Sequence, residues 1–307
     1  MVLSVVCTTV ADIPPNELGA LPLVAPARPT MSDYPLVSVY MPTHNRVELL
    51  KRSVESVLAQ SYPAIELIVV DDASSDGTWQ YLTRLAATDA RVSVLRNETP
   101  AGACVARNKA LAIARGYYVT GLDDDDEMLP DRIQLLVEAY RDDYAFTTSG
   151  YWWVTETRAK ATMCRRQVIT LEQQLDANYA TNQVLTTRER MLAIGGFDEA
   201  LVSLQDWDCF TRLIKAFGPG LRIAAATQNI YVDHGGERIS NPTKSRAGFA
   251  RFLEKHEAEM TTRHKLNHAF WLKVRIGEPM TFIELMRSLP AGYILKKVRH
   301  YMRYLTK

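Results

Sequence analysis

Tyr117-Tyr118-Val119-Thr120-Gly121-Leu122 runs directly into Asp123-Asp124-Asp125-Asp126. The first six residues read as a buried strand and the next four as its polar end. Carboxylates at this density repel one another, so a folded chain must supply a counter-charge. A divalent cation carrying a phosphate group would do so. On an extended segment Asp123 and Asp125, two apart, point the same way. Held by such a pair, Mg2+ or Mn2+ keeps positions open for a diphosphate and stabilises its charge as it leaves. A calcium-binding helix-loop-helix fails here. Its loop needs Gly at the sixth position and Glu at the twelfth, where Met128 and Gln134 stand. An acidic cap on the following helix remains an alternative for one or two of the four.

Upstream, strand and helix patterns alternate. Residues 36–41 (LVSVYM), 65–70 (IELIVV) and 92–95 read as strands. Residues 46–60, a stretch ending near 87, and 101–115 read as helices, and 130–140 reads as another with Pro130 in its first turn. This alternation implies a parallel sheet with right-handed crossovers. Such sheets bind ligands beyond the carboxyl ends of their strands. Three polar clusters fall there: Pro42-Thr43-His44-Asn45-Arg46, Asp71-Asp72 and the four aspartates. A dinucleotide or nucleotidyltransferase fold would place a Gly-rich loop after the first strand. The Pro-Thr-His-Asn-Arg turn has no glycine, which disfavours both. Asp72 suits a ribose or base, though cap chemistry before Ser74-Ser75-Asp76-Gly77 is an alternative.

After residue 144 the rhythm changes to a smaller mixed portion. Residues 151–154, 167–169, 182–187 and 221–232 read as strands, 206–217 as a helix, and 244–264 as a long helix. The 280–307 tail is amphipathic, and from Arg287 onward it carries Lys and Arg with no acid. That suits an anionic membrane surface; a surface helix packed on the core is the alternative. Residues 1–30, apolar and then Pro-rich, lack a basic start and read as an irregular arm. The expected division is this arm, a catalytic domain over 31–240 (nucleotide half 36–126, acceptor half 127–240) and a helical extension over 241–307.

With 307 residues, 47% of them hydrophobic, the chain can bury a large core. A net charge of +1 excludes a general nucleic-acid binder. The four cysteines are scattered, which argues against zinc and disulfides and suits a reducing cytosol. No run of eighteen apolar residues occurs, so no spanning helix is expected.

Five segments together resemble the inverting family-two glycosyltransferases of GT-A fold. They are VSVYMPTHN (37–45), SVLAQ (56–60), LIVVDDASSDG (67–77), ARN (106–108) and LDDDD (122–126) followed by Pro130. The likeness extends from about Leu36 to Ser240. It implies an α/β fold with a mostly parallel sheet between helices, a mixed acceptor-side portion and a helical tail. It implies a metal-dependent transfer of a hexose from a UDP-sugar to a saccharide hydroxyl, in synthesis of a bacterial surface polysaccharide. The acceptor would be a saccharide or lipid-linked saccharide, and the enzyme cytoplasmic, visiting the inner membrane face.

Position by position, the resemblance puts Pro42, Thr43, Asn45 and Asp72 at the base and ribose. Arg107 falls at the nucleotide or phosphate side, with a helix-surface ion pair as the alternative. Asp123-x-Asp125 matches the metal motif for Mn2+ or Mg2+, Asp125 on the metal and Asp123 nearer the ribose; Asp124 is grouped with the donor site. Gln205-Asp206-Trp207-Asp208 matches a Glu-Asp pair whose Asp is the catalytic base. A carboxylate within reach of the acceptor hydroxyl can take its proton. Asp206 fills that position, although it could merely cap its helix, and Asp208 could play either part. Gly195-Gly196-Phe197-Asp198 matches an acceptor-side loop. His234 would complete the metal shell and Arg238 would meet the diphosphate; a surface histidine is the alternative. Trp207 reads as core. The rival functions are a sugar-phosphate nucleotidyltransferase and a non-catalytic nucleotide-sugar binder, which would need no base.

Overall fold

The computed structural model describes residues 34–232 and 242–305. The expectations for the arm and for His234 and Arg238 therefore lie outside the described residues. Within them the alternation reads out in order: β1 (Val37–Thr43), α1 (Val47–Leu58), β2 (Ile65–Asp71), α2 (Thr78–Thr88), β3 (Val92–Arg96), α3 (Ala103–Ile113) and β4 (Tyr118–Gly121). These strands pair in parallel in the order β3-β2-β1-β4. Alternate residues feed opposite faces, as the period of two requires. Val37, Val39 and Met41 of β1 pack with α1, α2 and the later α4. Tyr40, Ile68 and Val70 pack with α3 and the later α6 and α7. A parallel sheet covered on both faces explains why its strands read as apolar runs.

The strand order reverses between β1 and β4. The chain moves outward from β1 to β3, then returns to the other side of β1. Pairing of β1 with β4 ends at Tyr40 and Gly121, whereas pairing with β2 continues to Thr43. Pro42, which has no N–H to donate, sits where β4 has already left the ladder. The two strand ends thus diverge, and a crevice opens at the topological switch point where such folds bind ligands.

The second half builds a mixed sheet. It comprises β5 (Glu127–Met128), α4 (Arg132–Ala139), β6 (Thr147–Val154), β7 (Ala159–Thr162), β8 (Gln167–Ile169), α5 (Leu171–Asp176), β9 (Thr186–Thr187), α6 (Arg188–Ala193), α7 (Gln205–Phe217) and β10 (Gly220–Tyr231). β10 pairs parallel to β6 and antiparallel to β5 and β8, while β9 closes the first sheet against β4. The strand expected over 182–187 is only its last two residues. Asn182 and Gln183 stay in a loop and turn their amides to the aspartates.

The C-terminal helices are α8 (Pro242–His256), α9 (Thr262–Ile276), α10 (Phe282–Ser288) and α11 (Ile294–Leu305). The single helix expected over 244–264 breaks after His256. Thr261 starts a new one: its hydroxyl accepts from the His264 N–H, and its own N–H donates to His264 Nδ1. The tail likewise splits, at Leu289–Ala291 and Gly292, the latter at φ 89°. The expected boundary at 240/241 is bridged by a shared core, in which Trp207 of α7 packs with Phe249 and Phe252 of α8.

Candidate active site

The aspartates do not lie on an extended segment. Asp126 donates its N–H to the Asp123 carbonyl at 3.1 Å, so the four form a tight turn between β4 and β5. A turn aims successive side chains in different directions, and each carboxylate meets its own partners. Asp123 accepts from Arg107 at 2.8 Å and Gln183 at 3.2 Å. Asp124 accepts from the Thr43 hydroxyl at 2.7 Å and Arg46 at 3.1 Å. Asp125 accepts from Arg46 at 2.7 Å. Asp126 accepts from Asn182 and from the Tyr231 N–H. Arg52, stacked 3.8 Å over the Tyr231 ring, donates to the Asp125 carbonyl.

The counter-charge that the sequence demands is thus present as arginine. Carboxylate density alone does not require a metal here. Among the described residues no three His, Cys, Asp or Glu side chains gather as a metal site. Asp123 and Asp125 still fit Mg2+ or Mn2+, which bind through one or two carboxylates plus substrate phosphates. Their side chains retain 28% and 20% exposure, against 8% for Asp124. Asp124 is the buried brace of the turn. Burial raises its carboxyl to about 6, with Arg46 opposing and Asp125 reinforcing. Burial also raises Asp126, reinforced by Asp123 and Asp125.

Arg107 is not a helix-surface residue. It is buried on α3, its guanidinium 5.2 Å over the Phe197 ring, and it faces two acids at once. Its Nη2 holds Asp123, and its Nη1 lies 3.6 Å from Asp206 Oδ1. Neither Arg107 Nη1 nor Asp206 Oδ1 has a hydrogen-bond partner, although both are buried. Such orphaned atoms mark a place where a hydroxyl or phosphate oxygen would be welcome.

Asp206 sits in the first turn of α7, after Leu204 in a left-handed conformation (φ 63°), and its side chain keeps 23% exposure. Burial raises its carboxyl to about 7; Arg107 opposes and Asp123 reinforces. An acid of that strength, with an oxygen that accepts no hydrogen bond, is suited to accept a proton near neutral pH. Asp208, two residues on, is fully buried and held by Arg212 at 2.9 Å, Lys255 at 2.8 Å and His256 at 3.0 Å. Despite its burial, His256 and these cations hold it well below the usual carboxylate range. Its contacts clamp α7 to α8, which leaves Asp206 as the acid of the pair that faces Arg107 and Asp123. Trp207 is core, stacked with His268 and donating its indole N–H to the Gln174 carbonyl.

Asp72, Asn45 and Pro42 lie at the expected strand ends, but the Asp72 and Asn45 side chains are already engaged. Asp72 accepts from Asn97 and from the N–H groups of Ala101 and Gly102 at α3's entry, which outweigh burial and hold its carboxyl low. Asn45, at φ 52°, accepts from the Ser75 N–H and ties the first loop to the second. These residues shape the crevice rather than project into it. Gly195 and Gly196, both left-handed, turn the chain after α6 so that Phe197 lies beneath Arg107. Arg46 and Gln183 contribute to the site without having been assigned a role by the pattern. Only Arg46's place beside the Thr43 turn hinted at one. Two clefts lie elsewhere, about 260 Å³ beside Arg141 and Leu221 and about 470 Å³ between α9 and α11, and none of the site residues lines them.

Residues 38–195 match Glycosyl transferase family 2. The chain belongs to this family. This family-two glycosyltransferase is 33% identical over 273 residues to the putative colanic acid biosynthesis glycosyl transferase WcaA of Escherichia coli K12, covering 84% of this chain and 95% of that one. It is 43% identical over 118 residues to the putative teichuronic acid biosynthesis glycosyltransferase TuaG of Bacillus subtilis, covering 38% and 47%. Among solved structures, Staphylococcus aureus TarS 1-349 with UDP-GlcNAc superposes with a TM-score of 0.57 at 18% identity, over 87% of this chain and 89% of that one. The mannosyltransferase PcManGT of Pyrobaculum calidifontis with GDP-Man and Mn2+ gives 0.57 at 19%, over 92% and 77%. The enzyme has the GT-A glycosyltransferase fold. The family match ends before Asp206, so the placement of that residue rests on the geometry above.

Proposed function

We propose that this enzyme moves a hexose from a UDP-sugar to a saccharide hydroxyl with inversion, in assembly of a bacterial surface polysaccharide. The observation that carries the reading is Asp206: a carboxylate with a raised proton affinity and an oxygen that accepts no hydrogen bond, 3.6 Å from Arg107 of the Arg107–Asp123 pair at the switch-point crevice. The acceptor oxygen attacks the anomeric carbon as the bond to the diphosphate oxygen breaks, and its proton passes to Asp206. A single displacement of this kind inverts the configuration. Arg107 stabilises the Asp206 carboxylate before transfer, so that it is ionised when the acceptor arrives. Asp123 and Asp125 would hold Mn2+ or Mg2+, which supplies positive charge against the departing diphosphate. Thr43, Asp72 and Asn45 fix the loops that receive the nucleotide; by the family resemblance His234 would complete the metal shell and Arg238 would meet the diphosphate.

Two further curated relatives support the donor and acceptor. The Escherichia coli proteins named UDP-Glc:alpha-D-GlcNAc-diphosphoundecaprenol beta-1,3-glucosyltransferase, WfaP and WfgD, are 33% and 40% identical over 119 and 107 residues. A lipid-linked saccharide is therefore the preferred acceptor class. The buried thiols Cys104 and Cys209 accord with action in a reducing compartment. The test is UDP release from UDP-glucose, UDP-galactose and UDP-GlcNAc with Mn2+ and a diphosphate-linked saccharide. Anomeric configuration is then read by NMR. Absence of turnover on every donor refutes the donor class, and a retained configuration refutes the single displacement.

A further inference from the structure

α11 is turned inside out for an ordinary surface helix. Lys297 is its buried residue, and the ammonium donates to Asn267 Oδ1 and to the Ser288 carbonyl. Ile294, Leu295, Val298, Met302 and Leu305 face outward, Leu295 at 84% exposure. At 100° per residue these five fall within one apolar stripe about a quarter-turn wide, and Arg299, Arg303 and Lys296 line its flank.

The stripe does not end with α11. Phe282, Ile283 and Met286 of α10 are exposed as well, and the Phe282 ring lies 6.4 Å from Tyr301 of α11, which joins the two faces. Surface apolar residues scattered singly need no explanation, but a continuous patch of this kind does. Its charge indicates what covers it. Arg287, Lys296, Arg299 and Arg303 are exposed around the patch, and the helices' only exposed-side acid, Glu284, is engaged by Lys273. A protein partner would gain little from such a one-signed rim, whereas an anionic bilayer surface matches both halves. Apolar side chains enter the headgroup boundary, and basic ones stay at the lipid phosphates.

We propose that α10 and α11 form a platform that seats the enzyme on an anionic membrane surface, with the apolar stripe inserted and the basic flank on lipid phosphates. The inference stands on this face alone and does not depend on the acceptor being lipid-linked. It gives the half-buried tail a role that core packing does not.

The full chain is incubated with sedimentable vesicles of phosphatidylcholine alone or with 30% phosphatidylglycerol, at low and at 0.5 M salt. With four basic residues on the face, partitioning to anionic vesicles should exceed that to neutral ones by roughly a hundredfold and fall with salt. Leu295→Glu with Met302→Glu should abolish sedimentation while leaving the thermal midpoint and UDP-sugar hydrolysis in solution unchanged, since both side chains are exposed. Lys296→Glu with Arg299→Glu should cost tenfold or more and remove the preference for anionic lipid. Equal binding to neutral vesicles, or none to either, overturns the proposal. So does a stable dimer in solution that the Leu295 and Met302 variant dissociates, which would make a second copy the occupant of the stripe.

Discussion

Replacing Asp206 by Asn should separate chemistry from stability in opposite directions. The substitution removes a carboxylate that burial holds at about 7, roughly three units above its value of 3.8 in the unfolded chain. Between pH ~4 and ~7 the folded protein keeps a proton that the unfolded chain releases, so wild-type stability from this group is fully present below about pH 4 and is lost as pH rises to about 7. At 1.36 kcal/mol per unit the ceiling at pH 8 is ~4 kcal/mol. The Arg107 attraction is already contained in that net figure, and solvent screening of a side chain that keeps 23% exposure lowers it. A net gain of ~1–2 kcal/mol raises the melting midpoint by about 2–8 °C. Transfer should meanwhile fall by about 10²–10⁴, the usual worth of a general base, with UDP-sugar binding retained. The assays are scanning calorimetry at pH 4.5 and 8, and initial rates of UDP release at saturating acceptor. The midpoint difference between variant and wild type should shrink to about a quarter of its pH 8 value at pH 4.5. The wild-type rate should drop on the acid side of about pH 7, because the base must be ionised. A variant that melts lower at pH 8, or that retains its rate, refutes the assignment.

Three further outcomes follow from the same geometry. Asp125→Asn should raise the Mn2+ concentration needed for half-maximal activity by roughly 10–100-fold, as measured by metal titration in the presence of UDP-sugar. Asp208→Ala leaves Lys255, Arg212 and His256 facing a buried void of charge. It should destabilise by about 3–5 kcal/mol in urea unfolding, the reverse of the Asp206 variant two residues away. Gly196→Ala places a Cβ 2.5 Å from Asn108 Oδ1 at φ 67°. A loss of about 1–3 kcal/mol in urea unfolding should accompany it, because Asn108 also holds Phe197 under Arg107.

The nucleotide half was legible because a parallel sheet leaves apolar runs that end in polar clusters, and each cluster marks a carboxyl end. Asp206 was singled out by the likeness of Gln205-Asp206 to a Glu-Asp pair, and the structure sets it in the first turn of an amphipathic helix. Less could be read where partners lie far apart in sequence. Nothing local tells that Arg46 will reach Asp125, or that Gln183 will leave a strand to meet Asp123. The alternation of carboxylates suggested a common direction, but four acids in a row favour a turn that lets each find its own donor. The break at Thr261 was missed because helical spacing continues through it, and only the cap chemistry distinguishes one helix from two.

Lys255 and His256 reach from α8 to the acid that anchors the base-bearing helix. A shortened enzyme ending near residue 240, or a chimera grafting another protein's C-terminal third, would therefore lose more than an appendage. The helix carrying Asp206 would be released from its mooring and Trp207 stripped of its aromatic neighbours, while the ends of β1 and β4 stayed in place. Swapping tails between relatives should therefore loosen that helix before anything else in the first sheet.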